Sequence, residues 1–341
     1  MKRESDAGMT RRNWLLGTAA AGFGGMAFCA RGEGQTKPDV RVKRTFAGTR
    51  NRYAFTHSLV QESVRMMVIG DAHLTLDDER GETWKSYSGR MSTPYRKMRH
   101  WRTGKEIISP AGFDEALETA QKAKVDFLAL VGDIVSFPSE AGVDYVTDKL
   151  KKSGLNWMYI SGNHDWHYEG LPGSLKDLRD EWAPKRLGPL YQGANPLYAM
   201  RKVKGVRMVM IDDSTWEILP EQLAFLREQI ASGEPLALFM HIPLYVCGYP
   251  PGVAEVGDPS WGWDSDHGWQ VERRPRWPKT GHTEITRAFR DAVFSAPNMV
   301  GVFAGHVHCP MQAEENGVVQ LCTDINASGA FLDVRFERGA S

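Results

Sequence analysis

Five short apolar runs in this chain each end in side chains able to hold a cation, and all five do so at the carboxyl-terminal end. Met66-Met67-Val68-Ile69-Gly70 leads into Asp71-Ala72-His73, and Phe127 to Val131 leads into Gly132-Asp133. Leu155 to Ile160 runs into Ser161-Gly162-Asn163-His164-Asp165, Leu236 to Met240 into His241, and Met299 to Ala304 into Gly305-His306-Val307-His308. An apolar run of about four to eight residues closed by glycine and polar residues reads as a buried strand that delivers its last side chains into a turn. A single histidine in a turn is most often a surface residue. Five runs discharging Asp, Asn or His at the same end are not explained by solvation of a surface.

The segments between the runs place the strands in a parallel arrangement. Phe113 to Ala123 has helical spacing, with Asp114 and Glu115 set in its first turn where they suit the helix dipole. Ala141 to Ser153 is a second helix, stopped by Gly154. Helix, strand, helix, strand is the order of βαβ units, whose crossovers are right-handed and whose functional groups gather beyond the carboxyl ends of the strands. Tyr198 to Lys202 and Val206 to Ile211 read as strands about Gly205, and Leu219 to Ala231 as a helix entered through Pro220. Thr283 to Ala296 is a helix, and Val318 to Asp324 with Ala330 to Phe336 are expected to close the chain as antiparallel strands.

Residues 31–64 read as a linker and N-terminal arm, and 65–338 as one catalytic domain carrying insertions at 75–110 and 247–280. The first insertion mixes Trp84, Tyr87, Tyr95 and Trp101 with Lys85, Arg90, Arg96, Lys97, Arg99, Arg102 and Lys105. It is either a solvated surface helix and loop or a lid whose cations meet an anionic substrate. The second holds Trp261, Trp263, Trp269 and Trp277 among several prolines. It reads as a loop packed by its own aromatics or as a wall that stacks on a substrate ring.

Composition narrows the function. A formal net charge of +0 argues against a nucleic-acid binder that relies on a general positive field. Lys2, Arg3, Arg11 and Arg12 precede the uncharged stretch Trp14 to Phe28. That stretch is shorter than the roughly 20 residues a bilayer span needs, so 1–30 reads as an export signal. Thr10-Arg11-Arg12-Asn13-Trp14-Leu15-Leu16 resembles the twin-arginine motif, with Trp where that motif usually carries Phe. The implied partner is the twin-arginine export machinery, and the implied location is periplasmic or extracellular. Phe28 before Cys29 spoils a lipoprotein box, so no membrane anchor is expected. Beyond the signal, Cys247, Cys309 and Cys322 are too few and odd in number for a disulfide framework, although Cys309 and Cys322 could pair across a hairpin.

Counted together, the strand ends offer two Asp, four His and one Asn, with no thiolate. Such ligands suit Mn, Fe or Zn, and seven are too many for one ion. They fit two ions about 3.5–4 Å apart if one carboxylate bridges them. Asp71-x-His73, Gly132-Asp133, Gly162-Asn163-His164-Asp165, His241 and Gly305-His306-x-His308, in that order, resemble the motif set of the calcineurin-like metallophosphoesterases. The resemblance spans Arg65 to Phe336 and implies a four-layer αββα sandwich of two mixed β-sheets flanked by helices. It further implies that Asp71, His73 and His308 hold one divalent metal, that Asn163, His241 and His306 hold the second, and that Asp133 bridges them. His164 would protonate the leaving group and Asp165 would orient it. The expected activity is hydrolysis of a small phosphomonoester or phosphodiester by a metal-bridged hydroxide. No tyrosine stands in the first motif region as it does in the purple acid phosphatases, so their diferric chromophore is not expected. Asp212 is left outside the site, and His167 and His282 read as loop residues.

Two other functions compete: a non-catalytic metal-containing binding protein that recognises its ligand through the Trp-rich loop, and a metal hydrolase acting on a non-phosphate bond. His164 counts against the first, because a binder needs no general acid.

Overall fold

The computed structural model describes residues 43–247, 256–259, 270–271, 274–275 and 281–339. Twelve strands build its two large sheets. In chain order they are β1 (Arg44–Thr49), β2 (Arg52–His57), β3 (Val64–Ile69), β4 (Phe127–Val131), β5 (Trp157–Ile160) and β6 (Tyr198–Val203), followed by β7 (Val206–Ile211), β8 (Leu236–Phe239), β9 (Met299–Ala304), β10 (Met311–Glu315), β11 (Val318–Cys322) and β12 (Leu332–Arg338). The first sheet runs β1-β2-β12-β3-β4-β5 and the second β10-β11-β9-β8-β7-β6. Both are mixed. In the first, β3, β4 and β5 are parallel; in the second, β7, β8, β9 and β11 are. Antiparallel pairs finish the edges, β1 with β2, β6 with β7 and β10 with β11.

Side-chain alternation along the strands sets the layers. Met66, Val68, Phe127, Ala129 and Val131 of the first sheet share one core with Met208, Met210, Phe239 and Phe303 of the second. Their neighbours Met67, Ile69, Leu128, Leu130, Val209, Ile211, Leu236 and Leu238 point the other way, into a cluster with helical side chains. The principal helices are α1 (Lys85–Ser92), α2 (Ser109–Ala123), α3 (Glu140–Ser153), α4 (Leu175–Arg186), α5 (Pro220–Ala231) and α6 (Glu284–Ser295). Phe113 and Leu117 of α2, Val143 and Leu150 of α3, Leu223 and Leu226 of α5, and Phe289 and Val293 of α6 supply that cluster. The result is the helix–sheet–sheet–helix sandwich that the motif set implied. Among the described residues no helix is long and apolar enough to cross a membrane.

Several boundaries depart from expectation. Helix α2 starts at Ser109 with Pro110 in its first turn, because proline's fixed φ pre-forms a helix start; Asp114 and Glu115 therefore lie beyond the first turn. The described part of 31–64 is an arm that joins the first sheet at its edge. There β1 and β2 form a hairpin within the first sheet, with β2 parallel to β12. The last two strands do not pair with each other: β11 lies between β10 and β9, while β12 crosses to the first sheet between β2 and β3. The crossing is held where Asn326 N–H donates to the Gly70 carbonyl and Ala327 N–H to that of Asp71, at 3.1 and 3.0 Å. Helix α4 and strand β10 were not expected.

The first insertion is structured. It holds α1, a turn at Thr93–Tyr95 and a two-strand ribbon, Met98–Arg99 with Glu106–Ile107. Most of its cations are engaged close by. Arg90 donates to the Glu169 carbonyl, Arg99 to that of Gly104, and Lys97 pairs with Glu106. Arg102 lies over Trp101 and Phe331. The export signal and most of the Trp-rich insertion fall outside the described residues.

Candidate metal centre

The predicted donors meet where the carboxyl ends of β3, β4 and β5 face those of β8 and β9. Two overlapping sets form. Asp71, His73, Asp133 and His308 bring one donor atom each to within 4.8 Å of one another, and so do Asp133, His241 and His306. Asp133 belongs to both. Its Oδ2 lies 3.7 Å from His73 Nε2 and 3.2 Å from His241 Nε2. His308 Nε2 stands 3.2 Å from Asp71 Oδ1 and 3.0 Å from His73 Nε2. Asn163 is buried in the turn after β5, whose His164 N–H donates to Asp133 Oδ1 at 2.8 Å.

The backbone that carries these groups is unusual. Asp71, His73, Asp133, His306 and His308 all adopt positive φ, between 45° and 69°. Left-handed backbone in non-glycine residues costs on the order of 1–3 kcal/mol each and collects at functional sites. Hydrogen bonds hold it in place: Asp71 N–H to the Gly132 carbonyl, His73 N–H to that of Asp133, and His306 N–H to the Asp71 carboxylate at 2.9 Å. Trp216, also left-handed, packs edge-on to the His306 ring at 5.5 Å.

The donor chemistry fits cations. His241 Nδ1 donates to the Val131 carbonyl at 2.8 Å, which leaves the Nε2 lone pair aimed at a carboxylate oxygen. Such a hydrogen bond is the usual means of orienting a metal-binding imidazole. Two lone pairs facing each other demand a positive charge between them. Burial disfavours protonation of His241, yet the carboxylates of Asp133 and Asp71 overcome it and hold the ring up at about 10, so a proton is strongly attracted to the place a cation would take. For Asp133, burial alone favours the neutral acid, but His241, His164 and His73 hold it well below the usual carboxylate range. Cys309 is pushed up to about 11 by burial and by the charges of Asp324 and Asp71, which keeps a thiolate out of the site. Cys309 and Cys322 are free thiols, so the hairpin disulfide does not form.

The Asp165 oxygens accept from Gly162 N–H at 2.8 Å and Val135 N–H at 2.9 Å, so it braces the loops carrying Asn163 and Asp133. Burial, with the Asp133 charge, raises it to about 7. Asp212 is a structural carboxylate paired with Arg179 and accepting from Ser214 N–H. His167 is a buried loop residue bonded to the Asn163 carbonyl, and His282 bonds Glu217 at the start of α6.

Two residues escaped the sequence reading as members of the site. Asp213 Oδ1 accepts from the N–H groups of His241 and Ile242, each at 3.1 Å, and so fixes the turn that presents His241. Its place at the end of an apolar run was the available signal. Tyr95, singled out in the sequence only as one aromatic of the first insertion, lies flat on the His73 ring, centroids 3.8 Å apart.

A dimetal phosphatase from Danio rerio is similar in structure, with 12% identity over 79% of this chain and 91% of that one and a TM-score of 0.48. A purple acid phosphatase from yellow lupin seeds shows 14% identity over 82% of this chain and 48% of its own, TM-score 0.46. A phosphopantetheinyl hydrolase from Mycobacterium tuberculosis shows 12% identity over 77% and 90%, TM-score 0.37. No curated protein sequence matches the chain. The model of one family, described as calcineurin-like phosphoesterase, matches residues 64–310, a span that contains all seven strand-end donors. By that match the chain belongs to the calcineurin-like phosphoesterase family.

Proposed function

We propose that this protein is a dinuclear-metal phosphoesterase that hydrolyses a small phosphomonoester or phosphodiester. The observation that carries the proposal is the sharing of Asp133 between two donor sets, one completed by Asp71, His73 and His308 and the other by His241 and His306. Asp71, His73 and His308 would hold one divalent ion, Asn163, His241 and His306 the other, and Asp133 would touch both. Mn, Fe and Zn all suit this oxygen and imidazole set. When bound, the pair supplies Lewis acidity that brings water toward ionisation near neutral pH and offsets the charge of the phosphoryl oxygens.

The chain's own groups do the rest. His164 is partly exposed, and its ring stands edge-on to His73 at 4.9 Å, beside the donors yet open to solvent. From there it can give its proton to the departing alkoxide. Its main chain is tethered to Asp133, and Asp165 stiffens the turn on which it stands. Burial of Asp71, His73 and His241 keeps water from competing for the carboxylates. The test is an assay of the Mn-loaded protein on a chromogenic monoester and a chromogenic diester, with His164→Ala as control. Hydrolysis of at least one by wild type, and its loss in the variant with both ions still bound, is expected. If wild type turns over neither ester above the variant's background, the proposal fails.

Residues 1–30 are proposed as a twin-arginine export signal that places the enzyme outside the cytoplasm. Replacing Arg11 and Arg12 by lysine should hold a tagged chain in the cytoplasmic fraction; unchanged export would refute the assignment.

A further inference from the structure

His73 differs from His241 in how its ring is held. A metal-binding imidazole is ordinarily oriented by a hydrogen bond from its second ring nitrogen, as His241 is by the Val131 carbonyl. His73 Nδ1 is buried and has no such partner among the described residues. Tyr95 instead covers one face of the ring, with an interplanar angle of 3° and centroids 3.8 Å apart. His308 and His164 meet the His73 ring edge-on, each with a centroid separation of 4.9 Å. Rotation of the His73 ring would swing Nε2 away from Asp71, Asp133 and His308, and it would have to break the Tyr95 stack to do so.

Tyr95 is itself well anchored. It ends the turn Thr93–Tyr95 directly after α1. That helix is pinned to the loop following His164: Arg90 donates to the Glu169 carbonyl at 2.7 Å, and Glu169 N–H donates to Met91 Sδ at 3.1 Å. The insertion therefore brings an aromatic ring to the donor cluster while most of its cations are engaged elsewhere.

We propose, on the reading that His73 holds a metal ion, that Tyr95 is a positioning residue whose stacked ring replaces the missing hydrogen bond and sets the direction of His73 Nε2. The ring, not the hydroxyl, does this. Apo-protein should be titrated with Mn²⁺ by calorimetry as wild type, Tyr95→Phe and Tyr95→Leu. Wild type takes up two ions. Tyr95→Phe should bind both within about twofold of wild type, because the stack survives. Tyr95→Leu should lose between about threefold and about tenfold in affinity at one ion only, the equivalent of one aromatic pair. Equal binding by Tyr95→Leu and wild type overturns the proposal, as does a Tyr95→Phe as weak as Tyr95→Leu. A wild type that binds no Mn²⁺ overturns the metal-centre reading itself, and this inference with it. Should Tyr95→Leu not fold, the NMR signals of the His73 ring decide: a stacked ring shifts them upfield in wild type and in Tyr95→Phe, and unshifted signals overturn the proposal.

Discussion

A methyl group added at Gly162 would stand 2.2 Å from Asp133 Oδ1, and one at Gly305 would stand 2.5 Å from Asp71 Oδ2. The motif glycines are there because the main chain presses against the carboxylates. Gly162→Ala should displace Asp133, lower the content of both ions to below half that of wild type on metal analysis, and cost on the order of 10²-fold in rate, as expected for a misplacement of about 1 Å. His164→Ala should keep both ions while kcat falls by about 10²- to 10⁴-fold. Metal content thus separates a holder from a proton donor. Asp71, His73, Asp133, His241, His306 and His308 could be picked out in advance because buried strands have only a few places to deliver polar groups. The left-handed φ of five of them could not, since Asp and His are enriched in that conformation among non-glycine residues but still adopt it only in a small minority of positions. Tyr95 was equally hidden, because a stack across a polar insertion leaves no periodic trace.

Helix α3 joins β4 to β5 and so spaces Asp133 from Asn163. Ser139 caps it, its Oγ accepting from Gly142 N–H at 3.0 Å and donating to the Leu76 carbonyl at 2.6 Å. Ser139→Ala should destabilise the protein by about 1 kcal/mol in urea unfolding, within the usual range for a lost cap. At the end of β2, burial and the neighbouring Arg44 guanidinium lower His57 from 6.5 to about 4. The unfolded chain takes up that proton below about pH 6.5 and the folded chain only near pH 4. The neutral ring's contribution to stability is therefore complete above pH 6.5 and is lost as the pH falls toward 4. The melting temperature of His57→Gln should accordingly drop less steeply than that of wild type between these limits. Parallel slopes would show that the ring is not held neutral. At this scale α3, α5 and α6 were readable from capping and periodicity. The partners of β11 and β12 were not: alternation marks a strand but not its neighbour, and the Asn326–Ser328 turn that sends β12 to the other sheet has no long apolar run of its own.

The donor cluster draws on three strand ends of one sheet and two of the other, so ions bound there tie the layers together. Ligands that bind only the folded state stabilise it, by about 2.7 kcal/mol at 100 times the dissociation constant. Stripping the metals with a chelator should therefore lower the calorimetric melting temperature by about 5 °C or more, with recovery on adding Mn²⁺. Asp133→Asn should melt low and ignore the chelator. A wild type indifferent to chelation would mean that the sheets are not tied in this way. The position of β12 adds a requirement of timing. It is the last of the described strands, yet it lies inside the first sheet, hydrogen-bonded to β2 on one side and β3 on the other. A ribosome releases those two partners more than two hundred residues before the segment that joins them. The nascent chain must wait with an open seam in its first sheet, which can close only once the segment that carries β12 has been made.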